Sequence, residues 1–348
     1  MRVSLALLSA LLLSTCPVLA ADIAITAFPA HGEKATNSDI DAAQKLATAT
    51  PGITSYFFAA TWDEIATEDS KRINDLKIAA YYGGQTSLPA YLGIQTINTT
   101  ERGLPSRFRK ARWTKTEMLL EFDEFLRGLV PTTGQNVRWL SLGNEADVYL
   151  AEHPDELEDY LSFYKKATIS ARRVFPSAKI GITVTYDGLT GERSAIAGKL
   201  IAASDAVFIT YYPVKFTVKS PEIIDKELTD LQAMFPEKQI IFQEIGFPSS
   251  PKLNSSETIQ SAFFETTLPK LKASPAVGFI NLFALHDFSP SVCRALQSQY
   301  NNKSEFFRDY LCTLGFFTTS GKPKKSWKSI ETALHPVDTS SPEKKKKD

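Results

Sequence analysis

The sequence predicts a single (β/α)8 barrel, and three observations carry that expectation. Short β-rich apolar runs alternate with amphipathic stretches from residue 22 almost to the end of the chain. The runs are apolar on both faces, as strands of a parallel sheet covered by helices must be. Eight of them occur, which favours a closed barrel over an open doubly wound sheet.

Taken in order, the first run starts at Ile23 (IAITA) and is followed by a helical stretch, Ser38 to Ala47. The second starts at Ile53 (ITSYFFAA) before Ser70 to Ala79, and the third at Ala90 (AYLGIQT) before Lys115 to Leu129. Val137 (VRWLSLG) opens the fourth, ahead of Asp155 to Val174, and Ile180 (IGITVT) the fifth, ahead of Arg193 to Ala203. The sixth begins at Ala206 (AVFITYY), and its helix is expected over Pro221 to Phe235 because Ser220 offers a capping hydroxyl before a proline at the first helical position. Ile240 (IIFQE) opens the seventh, with a helix over Glu257 to Leu271 announced by Asn254 three residues earlier. Val277 (VGFINLF) is the eighth, with a last helix expected from Phe306 onward. No linker rich in Pro, Gly or Ser divides residues 21 to 335, so one barrel is expected over 21–337.

The remaining segments lie at the ends. Residues 1–20 read as a signal peptide, with Arg2, the apolar run Leu5 to Leu13 and small residues up to Ala20. A secreted or periplasmic location follows; Leu13-Ser14-Thr15-Cys16 departs from a lipoprotein signal at Thr15, which disfavours a lipid anchor. No later stretch approaches the roughly 18 apolar residues of a membrane span. Residues 338–348, ending in four lysines and Asp348, have no apolar face and read as a disordered tail.

Composition narrows the function. The 348 residues carry 39 basic and 39 acidic side chains, so nothing in the net charge suggests a nucleic-acid partner. A monomer acting on neutral, hydroxyl-rich molecules is the expectation. Four dispersed histidines (His31, His153, His286, His335) form no metal-ligand spacing, and neither nucleotide-binding nor serine-hydrolase motifs occur, so no cofactor and no metal are expected. Beyond the leader two cysteines remain, Cys293 and Cys312, compatible with a disulfide or with two buried thiols.

In a barrel the chemistry sits at the C-terminal ends of the strands. Strand four ends in Asn144-Glu145 and strand seven in Glu244, two carboxylates on opposite sides of the barrel mouth. Along strand four, Ser141, Gly143 and Glu145 share one face and Leu140 and Leu142 the other, so the polar set should face the lumen. Paired carboxylates across a cleft are what glycosidic cleavage requires: one protonates the leaving oxygen, the other meets the oxocarbenium-like carbon.

Gly143-Asn144-Glu145, together with Glu244-x-Gly246-Phe247-Pro248-Ser249, resembles clan A of the retaining (β/α)8 glycoside hydrolases. Tyr211-Tyr212-Pro213 is similar to the endo-β-1,4-galactanases, and the strand-seven segment to the plant and fungal β-1,3-glucanases with Phe for their Trp. Thr313 to Lys324 resembles the segment that closes many barrels of the clan. The resemblance implies that Glu145 is the acid/base, Glu244 the nucleophile, Asn144 the contact to the sugar 2-hydroxyl and Tyr212 the hydroxyl that positions Glu244. On those roles, the charge of Glu244 should raise the pKa of Glu145, and the Tyr212 hydroxyl should favour ionised Glu244. Three departures stand out: Phe283-Ala284-Leu285-His286-Asp287-Phe288 stands at the end of strand eight where the clan often has a tryptophan, Thr210 stands where relatives carry His, Asn or Ser, and strand two offers no arginine.

Further candidates follow from their place at strand ends. Trp62 is a candidate platform for a sugar face, while Gln95, Asn281 and His286 are candidate substrate contacts; Trp139 and Trp327 are expected in the core. Asn98, Asp147, Tyr149, Gln243 and Asp287 also lie near strand ends, some as structural hydrogen-bonding groups. The expected activity is hydrolysis of β-glycosidic bonds of a polysaccharide or oligosaccharide with retention. A transglycosidase using the same site and a non-catalytic carbohydrate-binding barrel are the alternatives.

Overall fold

The computed structural model describes residues 20–66, 70–215 and 217–335. The expected signal peptide, apart from Ala20, and the expected tail over 338–348 fall outside these residues. Eight parallel strands form a ring: β1 Asp22–Ile25, β2 Tyr56–Thr61, β3 Ala90–Gln95, β4 Val137–Ser141, β5 in two pieces (Lys179–Gly181 and Val184–Thr185), β6 Val207–Tyr211, β7 Ile240–Ile245 and β8 Val277–Leu282. The order β2-β3-β4-β5 forms one arc and β5-β6-β7-β8-β1 the other. Both seams close. The first piece of β5 pairs with β4 and the second with β6, and the Ile23 carbonyl accepts from the amides of Thr54 and Ser55, both at 3.0 Å.

Each strand feeds a covering helix: α1 Asn37–Ala49, α2 Lys71–Gln85, α3 Thr116–Thr133, α4 Leu157–Val174, α5 Ser194–Ala203, α6 Ile223–Met234, α7 Glu257–Ala273 and α8 Lys325–Leu334. Local chemistry starts them: Thr36 and Asp39 form a reciprocal capping box, and Ser70 caps α2. Three expectations are corrected here. The cap of α7 is Ser256, whose hydroxyl accepts from the Ile259 amide, while Asn254 sits in a left-handed turn before it. Helix α6 starts at Ile223, leaving Ser220 and Pro221 in the preceding turn. The residues from Phe306 belong to a short helix, Glu305–Leu311, and the closing helix is α8, which packs along α7 through a Ser261–Ser329 hydroxyl contact of 2.6 Å.

The alternation of side chains produces two cores. Ala24, Phe57, Tyr91, Trp139, Ala206, Phe208, Ile241 and Phe279 fill the lower lumen, while Leu140 and Leu142 join the larger core between sheet and helices, as the strand-four pattern predicted. A side chain at Gly181 would meet the Phe208 ring at 2.1 Å, so β5 must be glycine there for the plug to fit. Trp139 also donates to Asp22 at 2.9 Å, and Trp327 is buried, so both lie in the core as expected. The plug leaves only the C-terminal end of the barrel open to build a site.

Between β8 and α8 the chain makes a long excursion with two short helices, Pro290–Gln299 and Glu305–Leu311. A disulfide between Cys293 and Cys312 joins them, their Cα atoms 6.0 Å apart, which decides between the two readings left open by the sequence.

Candidate active site

Glu145 is placed by backbone constraint. The chain leaves β4 and turns at once into the helix Ala146–Glu152, and Glu145 takes up left-handed φ and ψ of 46° and 40° to do so. For a residue with a side chain this costs of order 1 kcal/mol or more and persists only where neighbours impose it. They do: the Asn144 amide donates to Ile97 O at 2.8 Å, Thr99 N donates to Asn144 O at 2.9 Å, and Ala146 N donates to Thr183 O at 3.1 Å. The Glu145 carboxylate then accepts from Thr99 at Oε2 (2.9 Å) and from Thr210 at Oε1 (2.7 Å).

Glu244 reaches the mouth by a different device. In the β6–β7 pairing, Phe242 faces Ile209 and Glu244 faces Thr210, so Gln243 is an extra residue in the ladder. Such a bulge re-aims side chains. Gln243 turns into the lumen, where its Oε1 accepts from Tyr91 and Thr183, both at 2.6 Å, and its Nε2 donates to Asn144 Oδ1 at 2.5 Å. Glu244, next in line, accepts from the Tyr212 hydroxyl at 2.5 Å. Thr210 ties the carboxylates together, since it is the strand neighbour of Glu244 and the hydrogen-bond donor to Glu145.

Both carboxyl groups are held above their usual range, with burial as the largest cause. Glu244 is pushed up to about 8, with the charge of Glu145 second; the Tyr212 hydrogen bond lowers it, as expected, but is outweighed. For Glu145 burial is followed by relief from the Thr210 hydrogen bond and then by repulsion from Asp147, so its rise comes from burial and Asp147 rather than from the charge of Glu244 expected from the sequence. The buried Asp147 is neutralised by Arg193 at 2.8 Å. Both carboxyls are thus buried at one mouth, and the charge of Glu145 opposes ionisation of Glu244.

The mouth is divided into two lobes. A lobe of about 420 Å³ is lined by Glu244, Gln95, Phe57, Phe283, Phe288 and Arg72 among others. A lobe of about 200 Å³ is lined by Glu145, Thr210, Tyr212, Tyr186, Arg193 and Tyr310 among others. Thus the structure brings Glu145, Glu244, Tyr212 and Gln95 to the lobes, whereas Asn144, expected to meet a sugar hydroxyl, lies beside Glu145 but lines neither lobe, its amide taken up by Asn98, Thr99 and Gln243.

Three sequence candidates lie elsewhere. Trp62 is 2% exposed and stacked among Phe108, Phe122 and Phe125 beneath the helices, so it offers no face to a sugar. Asn281 is fully buried below the lobes, donating to Thr26 Oγ1 (2.7 Å) and Gln243 O (2.8 Å). His286 is turned toward Phe28 O, 2.7 Å away, and packs on Phe317. In each case a residue at a strand end sits one step too deep or too far outward. Sequence reasoning in turn passed over Thr99, Tyr300 and Tyr310. Tyr300 stands 3.3 Å from the Thr99 hydroxyl, and Tyr310 packs edge-on against Tyr212, 5.4 Å between centroids. Both come from the stapled excursion, and only the fold brings it over the mouth.

No protein-family model matches the sequence, and no curated protein matches it. Solved structures do resemble the chain. GH5_18 from Bifidobacterium longum subsp. longum is 17% identical with a TM-score of 0.68, over 90% of this chain and 78% of that one. GH5_18 from Streptomyces cattleya, in complex with GlcNAc, is 14% identical with a TM-score of 0.68, over 93% and 82%. Bacteroides uniformis beta-glucuronidase 2, covalently bound to cyclophellitol-6-carboxylate aziridine, is 13% identical with a TM-score of 0.64, over 90% of this chain and 35% of that one. The chain has the barrel fold of these proteins.

Proposed function

We propose that this chain is an exported retaining glycoside hydrolase that cleaves β-glycosidic bonds of an oligosaccharide or polysaccharide. The observation that carries the reading is the linkage of Glu145 and Glu244 through Thr210 at the C-terminal mouth of the barrel, each carboxylate on its own hydroxyl donor. Export rests on the leader-like residues 1–20. The solved neighbours support the reading by the carbohydrates and the covalent aziridine adduct found in them.

The geometry orders the steps. The anomeric carbon must lie over the nucleophile, so the retained sugar occupies the larger lobe, lined by Glu244. The leaving group occupies the smaller lobe, lined by Glu145. Glu244 attacks the anomeric carbon in its ionised form, the minor one below about pH 8, while Glu145 passes its proton to the glycosidic oxygen, giving a glycosyl ester and a free alcohol. Glu145 then takes a proton from water, whose oxygen displaces Glu244 and yields the β-anomer. Asn144 gives its oxygen to Gln243 and its nitrogen to Asn98 (3.2 Å), ties that hold the turn presenting Glu145.

The test separates the two glutamates. With an activated aryl glycoside, Glu145→Gln should form the ester quickly and stall, and added azide should restore turnover as the β-glycosyl azide. Glu244→Gln should be inactive on every substrate, and Glu244→Ala with azide should give at most the inverted α-product. The reverse assignment of azide products would exchange the roles. Binding of glycans without turnover by the intact protein would favour a binding barrel.

A further inference from the structure

We propose that Tyr300 is a positioning residue that, through Thr99, directs the acidic proton of Glu145 onto Oε1, the oxygen facing the leaving group. The inference rests on the reading of Glu145 as proton donor. Thr99 has one hydroxyl proton, which it gives to Glu145 Oε2 at 2.9 Å. Its lone pairs face two donors, the Tyr300 hydroxyl at 3.3 Å and Asn144 Nδ2 at 3.4 Å. With both lone pairs taken, Thr99 cannot accept a proton from Glu145, so Oε2 is kept as an acceptor. The other oxygen meets Thr210, which has no such second donor among the described residues and lines the smaller lobe, whereas Thr99 lines neither lobe. Protonated Glu145 therefore carries its hydrogen on the side where the glycosidic oxygen departs.

Tyr300 suits this task. Burial holds its phenol well above the usual tyrosine range, so it remains a donor throughout the working pH. It is brought from the far end of the chain and pinned in place. Thr100 Oγ1 donates to Gln299 O at 3.0 Å, Phe307 packs on the Tyr300 ring at 5.1 Å, and Lys252 reaches Glu305 at 3.2 Å on the opposite rim. The Cys293–Cys312 disulfide ties the two short helices that flank Tyr300. The excursion crosses the mouth as a stapled strap.

The experiment removes single hydroxyl groups. Tyr300→Phe should leave KM unchanged and move the basic limb of the kcat/KM profile upward by about half to one pH unit, because a freed Thr99 can now accept from protonated Glu145. Turnover of glycosides with poor leaving groups should fall about fivefold, and ester formation from activated aryl glycosides should not change. Thr99→Val, which removes the donor on Oε2, should also move the limb upward, Tyr300→Phe should add nothing in that background, and Thr99→Ser should keep the wild-type profile. Reduction of the disulfide should move the limb in the same direction. An unmoved limb in Tyr300→Phe, or full additivity with Thr99→Val, would overturn the relay, and an unmoved limb on reduction would overturn the part given to the staple. A ¹³C titration of the Glu145 carboxyl reads the same shift without substrate. If the wild-type chain hydrolyses no glycoside but this titration still moves upward in Tyr300→Phe, the glycosidase reading fails and the relay stands.

Discussion

Replacing Glu244 by glutamine should stabilise the protein, and the gain should grow with pH. Burial and the neighbouring Glu145 push the Glu244 carboxyl from an ordinary 4.5 up to about 8. Below pH 4.5 the group is neutral in both the folded and unfolded chains, and an amide of the same shape changes little. Between 4.5 and 8 the unfolded carboxyl ionises while the folded one resists, so wild-type stability falls as pH rises, and the loss is complete above the folded value. At ~1.4 kcal/mol per unit the ceiling is roughly 5 kcal/mol. Water in the open lobes and relaxation of the pair reduce this to about 2 kcal/mol, or roughly 3 °C in melting temperature for a barrel of this length. Thermal melts of wild type and Glu244→Gln at pH 4.5, 7 and 9, with no substrate present, measure it directly. A gain that is absent at pH 9, or larger at pH 4.5 than at pH 9, would refute the account of the pair. Glu145→Gln should stabilise in the same sense, and the double variant should gain less than the two singles together, because each charge raises the other's cost.

Four further outcomes follow from the same structure. Thr210→Val removes the donor on Glu145 Oε1 and should shift the basic limb of kcat/KM upward by about half to one unit, read from a pH–rate profile. Gln243→Leu strands the Tyr91, Thr183 and Asn144 partners and should cost about 3 kcal/mol in urea unfolding, together with a large loss of kcat. Trp62→Phe should leave KM for any glycan unchanged and lower the melting temperature, the reverse of a stacking residue, as steady-state kinetics and melts would show. Activity should survive EDTA, since the proposed steps use carboxylates and hydroxyls of the chain; loss restored by added metal would contradict them.

Sequence by itself determined the barrel, because eight apolar runs with covering helices leave few other ways to bury both faces of every strand. It also singled out Glu145 and Glu244, since a strand end in a barrel is a position in space as well as in the chain. The limits of that argument show in Trp62, Asn281 and His286: alternation tells which face a residue takes, but its depth in the lumen and the turn after the strand depend on packing that no local pattern contains. The bulge at Gln243 decided that two successive side chains point inward, against the period-two rule that sequence reasoning must use. Only the tertiary structure brought Thr99, Thr210 and Tyr300 around one carboxylate. Thr99 lies in the turn after β3, Thr210 within β6 and Tyr300 at the end of the first short helix, 201 positions from Thr99, and hydrogen bonds between such distant groups are set by how the barrel closes and where the stapled strap crosses it.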